Sequence, residues 1–122
     1  MNRSFSKKTQ GHTMKAIMLS LLMLLSTQSA FADTASYYHD KFHGRKTASG
    51  ETFNQYAMTA ASNKYKLGSR LLVTNPITKR SVVIRVTDTG QLYGRSIDLS
   101  KGAFSKIADL KYGVIKVTIK QL

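Results

Sequence analysis

The chain has 122 residues, 19 Lys and Arg against six Asp and Glu, a formal net charge of +13 and no cysteine. That length allows one domain at most. Without cysteine there is no disulfide framework, no thiolate metal site and no residue to lipidate at a lipoprotein cleavage site, so a lipid anchor is not expected.

Residues 1–32 read as a secretory leader. Arg3, Lys7, Lys8 and Lys15 form a basic n-region, residues 16–25 (AIMLSLLMLL) an apolar h-region, and Ala30-Phe31-Ala32 a small-x-small cleavage signal. The apolar run is shorter than the ~20 residues that span a bilayer. A buried N-terminal helix is the competing reading, but it does not account for the order of charge, apolar run and cleavage site. Met14 is an alternative start to Met1, because Met14-Lys15 already opens a compact leader. The domain is therefore expected over residues 33–122, exported to the periplasm or cell envelope. The leader holds four of the basic residues and no acid, which leaves 15 basic against six acidic residues, a net +9. Such a charge calls for a polyanionic partner. Export favours a cell wall or an anionic surface over nucleic acid, for which no recognition motif is present.

Residues 34–38 (TASYY) are strand-like and lead into a polar, Gly-bearing segment, 39–51, that closes with the tight loop TASGE. Residues 57–61 (AMTAA) suit a short buried strand, with a helical turn as the alternative. Residues 69–75 (SRLLVTN) form a clear strand, and Asn75-Pro76 opens a hairpin-type turn into residues 79–87. In that run Val82, Ile84 and Val86 face one way, Val83 and Arg85 the other. It delivers Asp88 into a turn bracketed by Gly90 and Gly94. An acid at the mouth of a rigid strand is a catalytic placement, although an aspartate in a turn also commonly hydrogen-bonds its own backbone. The short apolar piece Ile97-Asp98-Leu99 ends at Ser100, an N-cap for a helix over residues 101–108 with Phe104, Ile107 and Ala108 inward. Residues 114–119 (VIKVTI) form a final strand with Lys116 outward. Several strands and one short helix predict an all-β fold, a small β-barrel.

The ordered segments ASYY, FHGRKTASGETF, AMTAAS, GSRLLVTNPITKRSVVIRVTDTG, YGRSIDLSKGAF and GVIKVTI resemble the rare lipoprotein A (RlpA) family across nearly all of residues 33–122. The resemblance implies a six-stranded double-psi β-barrel, similar to expansins, barwin-like proteins and family 45 glycoside hydrolases. It implies action on peptidoglycan, in some members as a lytic transglycosylase preferring glycan strands stripped of stem peptides. The acid of the TAxGE motif falls on Glu51 and that of VxDxG on Asp88. A histidine often follows the TAA segment, where this chain has Ser62. The family's SWYG start reads SYYH here, and its DRGP turn reads DTGQ. Septal targeting through a trailing peptidoglycan-binding repeat domain is not expected.

Glycosidic cleavage needs a proton donor to the leaving oxygen and relief of the developing oxocarbenium charge. Asp88 is assigned as the acid/base and Glu51 as the assisting carboxylate. Ser62, His43, Tyr93 and Arg95 are expected to contact substrate, with Tyr93 the best placed of the tyrosines for stacking on sugar. Asp98, just ahead of a helix cap, reads as structural. His39 and His43 are spaced for metal only on a helix, and their segment is loop-like, so neither metal nor cofactor is expected. Peptidoglycan is the expected partner, with no nucleic acid and no stable membrane anchor, and the chain is expected to be a monomer. The second function class is a non-catalytic, expansin-like module that binds or loosens the wall.

Overall fold

In the computed structural model, which describes residues 33–122, six strands and one α-helix alternate with turns. They are β1 (Asp33–Tyr37), β2 (Thr59–Ala61), β3 (Arg70–Asn75), β4 (Arg80–Asp88), β5 (Ile97–Leu99), α1 (Lys101–Ile107) and β6 (Ile115–Gln121). The secretory leader expected over residues 1–32 lies outside the described residues. The strands close into a barrel in the order β1-β5-β2-β4-β3-β6. This is the six-stranded barrel with one short helix that the sequence predicts. Closure removes the sheet edges that a short-stranded sheet would otherwise leave unpaired.

The alternation in β4 sets the barrel interior. Val82, Ile84 and Val86 are buried, while Ser81, Val83 and Arg85 face outward. They pack with Leu71 and Val73 of β3, Ile97 and Leu99 of β5, Val117 of β6 and Ala60 of β2 in one core cluster. Ala103, Phe104 and Ile107 of α1 complete it, all fully buried. Tyr37 meets the Phe104 ring edge-on at 4.8 Å, and its hydroxyl donates to the Leu110 carbonyl.

Turns and caps follow from identifiable side chains. Buried Asn75 accepts from the Ile77 N–H and donates to the Ile107 carbonyl, so one amide both shapes the β3–β4 turn and ties it to the end of α1. Ser100 caps α1 by accepting from the Ala103 N–H and donates to the Ala57 carbonyl. At Gly102 a Cβ would lie 2.7 Å from the Tyr56 carbonyl oxygen, so only glycine lets α1 approach the chain ahead of β2 this closely.

Most boundaries fall within one residue of expectation, and two differ by more. In AMTAA only Thr59–Ala61 is strand, because Ala57 is drawn into a turn with Asn54. β6 runs on to Gln121 because its pairing with β3 continues to Leu71↔Gln121.

Ile84 is 1% exposed at the centre of the core. Ile84→Ala should destabilise the domain by about 2–5 kcal/mol, the usual range for emptying a packed aliphatic site. Urea denaturation measures it, and a loss under ~1 kcal/mol would contradict the packing described.

Candidate active site

Four strands contribute one residue each to a row across the barrel wall. Ser36 of β1 pairs with Asp98 of β5, Asp98 with Ala61 of β2, and Ala61 with Asp88 of β4. Between β2 and β4 the register skips a residue: Ala60 faces Val86, but Ala61 faces Asp88. Thr87 is the extra residue. Strict alternation after Val86 would send the Asp88 side chain into the barrel core, and the skip turns it to the outer face instead. Two carboxylates thus flank Ala61, with backbones two strand spacings apart, about 9–10 Å. The methyl of Ala61 leaves the space between them open.

A second, smaller cluster lies outside the barrel wall here: Tyr38, Phe53, Ala61 and Leu92, with Phe42 packed against it. Tyr38 stacks on Phe53 at 4.3 Å. Above this floor is a cavity of about 350 Å³ into which Asp88 and Asp98 both open, rimmed by Thr89, Gly90, Gln91 and Tyr93. Asn63 fastens the rim by donating to the Gly90 carbonyl and accepting from the Gly90 N–H.

The two acids have different surroundings. Asp88 accepts three hydrogen bonds, from the Ala48 and Thr89 N–H groups on Oδ1 and from the Tyr38 hydroxyl on Oδ2, each at 2.9 Å. An ionised carboxylate is acceptor-only, and these donors match that form. Burial raises the Tyr38 hydroxyl well above its ordinary range, and its hydrogen bond to Asp88 adds to this, so Tyr38 remains a donor. Asp98 accepts from the Ser36 hydroxyl at 2.9 Å. Burial pushes the Asp98 carboxyl up, while Ser36 and Arg95 pull it down and the charge of Asp88 adds to the rise. For Asp98 the cost of burial outweighs these pulls, and its carboxyl lies above the ordinary carboxylate value.

The other expected site residues divide. Tyr93 stands at the rim, 82% exposed, with its backbone at φ 51 and its hydroxyl donating to Gln91 Oε1. A left-handed tyrosine is costly, by roughly 1–2 kcal/mol, and such costs concentrate at functional sites. Arg95 donates from Nε to the Leu92 carbonyl, and its guanidinium lies 6.0 Å from the Tyr93 ring. His43 faces away from the cavity. It accepts from the Gln55 N–H and packs edge-on to Tyr56. His39 accepts from the Lys41 N–H, so the two histidines share no site.

Besides His43, two more of the expected residues lie away from the cavity. Ser62 is fully buried, with its hydroxyl accepting from the Lys64 and Tyr65 N–H groups. It caps a turn and offers nothing to a substrate. Glu51 does not line the cavity. Its carboxylate takes a two-pronged ion pair from Arg85, at 2.7 and 3.0 Å, which holds it below the usual carboxylate range. The second acid of the cavity is Asp98, which sequence reasoning assigned to structure. The available signal was its position as the single polar residue between two core residues of a strand.

A family model described as lytic transglycolase matches residues 30–119. The endolytic peptidoglycan transglycosylase RlpA of Pasteurella multocida (strain Pm70) is 45% identical over 91 residues, covering 72% of this chain and 31% of its own length. The protein of the same name from Campylobacter jejuni is 40% identical over 120 residues, covering 94% of this chain and 43% of its own length. The chain therefore spans less than half the length of these curated relatives. Among solved structures, a Streptomyces papain inhibitor superposes with a TM-score of 0.60 at 24% identity, covering 75% of this chain and 92% of that one. A mutant Clavibacter michiganensis expansin in complex with cellohexaose gives 0.58 at 20% identity, covering 75% of this chain and 50% of that one. These likenesses establish the double-psi β-barrel fold.

The half-buried Asp98 carries a pH signature. Its carboxyl is raised in the folded chain above the ordinary value of 3.8, so over that interval the folded state binds more protons than the unfolded state. Stability from this group is present below the ordinary value and falls as pH rises through the folded-state value. Wild type should lose stability relative to Asp98→Asn across that rise, read by urea unfolding at stepped pH. A flat or opposite difference would contradict the assignment.

Proposed function

Since the chain belongs to the lytic transglycolase family, we propose that it cleaves the glycan strands of peptidoglycan, including strands stripped of stem peptides, as a lytic transglycosylase. The observation that supports this most directly is the pair of unlike carboxylates flanking Ala61 above an apolar floor. Asp98, whose carboxyl burial pushes up, donates a proton to the glycosidic oxygen as the bond to the anomeric carbon breaks. Asp88, held as an acceptor by three donors, faces the developing oxocarbenium charge. The muramyl 6-hydroxyl closes on the anomeric carbon, and its proton passes to the vacated Asp98 carboxylate, leaving a 1,6-anhydromuramic end. No water is consumed. Tyr93 at the rim offers a face on which a sugar stacks.

This assignment moves the proton donor from Asp88, the expected acid, to Asp98. A carboxylate met by three donors gives up those hydrogen-bond partners poorly, whereas a half-buried carboxyl with one hydroxyl partner transfers a proton more readily.

The basic surface supports a wall location. Among the described residues two ion pairs form, Glu51 with Arg85 and Asp40 with Lys101, so most of the 15 basic side chains in this part of the chain are left to an external anion. Phosphate-bearing wall polymers and stem-peptide carboxylates carry that charge, which fits a protein acting in the envelope.

A second reading, a non-catalytic module that binds or loosens the wall, is favoured by two observations: the expansin likeness and Ser62 at the position where the family often has histidine.

Incubation of the domain with denuded glycan strands, followed by mass spectrometry, separates the two. Products ending in 1,6-anhydromuramic acid with no label from isotopic water are expected. Asp98→Asn should lower the rate by about 10²–10⁴-fold, the usual worth of general acid catalysis, while glycan binding persists. Asp88→Asn should also impair cleavage and spare binding. Label at the new reducing end would make the protein a hydrolase, and wild type without products would leave the binding module.

Binding to isolated sacculi should weaken as salt rises, because exposed charges are screened within about 8 Å at physiological ionic strength. Co-sedimentation across a salt series measures it, and salt-independent binding would point to aromatic stacking instead.

A further inference from the structure

The loop carrying the TASGE motif is a closed unit. Lys46 and Thr52 bridge its base, the Thr47 N–H donates to the Glu51 carbonyl, and the Gly50 N–H donates to the Thr47 carbonyl. It touches β4 at three successive places. Glu51 pairs with Arg85, the Ser49 N–H donates to the Thr87 carbonyl, and the Ala48 N–H donates to Asp88 Oδ1. Of the three donors on Asp88, Thr89 is its chain neighbour and Tyr38 is anchored in the aromatic floor. Only Ala48 comes from a separate loop, so only that bond depends on how the loop is docked.

Arg85 has a reason of its own to take an anion. Across the β3–β4 ladder it lies directly opposite Arg70, and like charges so placed repel. The Glu51 carboxylate relieves this and matches the planar guanidinium with two parallel hydrogen bonds, which fix direction as well as distance.

We propose that Glu51 and Arg85 form a strut that docks the 46–52 loop on β4 and so positions Asp88 through the Ala48 N–H. Glu51 is then a positioning residue that never touches substrate, and Arg85 is an equal partner in the role. The inference rests on the reading of Asp88 as a working carboxylate of a glycan-cleaving site.

The test compares Glu51→Gln, Arg85→Met and the double variant, with melting temperature confirming that each is folded. Acting as one strut, the two residues should be non-additive: each single variant and the double lose about the same kcat, about tenfold, with KM little changed. The pH–rate profile should move in the same sense in both single variants. If Glu51 and Arg85 acted on the site by their own charges, which are opposite, the profiles would move in opposite senses, and that result overturns the proposal. A loss in Glu51→Gln with wild-type kcat in Arg85→Met also overturns it, since Glu51 would then be acting at the substrate. Arg85→Lys, which keeps charge but loses the fork, should fall between wild type and Arg85→Met. Hydrogen exchange at the Ala48 amide, followed by NMR, needs no turnover. It should quicken in both single variants, and unchanged exchange in both overturns the strut whatever the kinetics. A wild type that makes no products counts against glycan cleavage and leaves the exchange measurement to decide on the strut.

Discussion

The skipped residue at Thr87 is the constraint on which the site depends. β4 builds the barrel interior with Val82, Ile84 and Val86 and then has to present a carboxylate on the outer surface two residues later. A regular strand cannot do both, because residues two apart share a face. The irregularity opposite Ala60 and Ala61 resolves the conflict. Its cost is contained: the Thr87 carbonyl, released from the ladder, accepts from the Ser49 N–H, and the Asp88 carbonyl accepts from the Ser62 N–H. The loop that satisfies the bulge is the same loop that reaches Asp88. The backbone defect and the site are therefore one arrangement.

From that arrangement follows a division of labour between two apolar clusters. The larger one, inside the barrel and closed by Phe104 and Ile107, holds the fold. The smaller one, of Tyr38, Phe53, Ala61 and Leu92, lies on the outer wall and serves as the floor of the cavity. Tyr38 belongs to both the floor and the acid pair, since its ring stacks on Phe53 while its hydroxyl holds Asp88. The two aspartates on either side of β2 have different partners, three donors on Asp88 and the Ser36 hydroxyl on Asp98, and unlike surroundings for like side chains suit acid–base chemistry at a single site.

Much of this was legible in the chain. The facing of β4, the capping by Ser100 and the Asn75-Pro76 turn follow from periodicity and turn chemistry, which are local. The resemblance to the RlpA family fixed the barrel. What was not legible depends on pairing between distant segments. The one local signal at Asp98, a polar residue between two core residues, is shared by an acid that serves a helix start, and the cavity it opens into is made by β2 and by the loop after β4. Glu51 matches a family motif and reads as catalytic, yet its neighbour across the fold is Arg85, 34 residues away. Ser62 stands at a motif position, but the turn of Lys64 and Tyr65 folds its hydroxyl inward.

The hydrogen bonds that define the acid pair join residues far apart in the chain: 62 positions from Ser36 to Asp98, 50 from Tyr38 to Asp88 and 40 from Ala48 to Asp88. No segment of the chain contains the site, and no sub-barrel does either, because the row runs through β1, β5, β2 and β4. Contacts of such high sequence separation form late and together, when the loops between them have closed. The acid pair exists only once β5 and β4 have both paired with β2, so the three segments that build it must be brought together from well-separated parts of the chain.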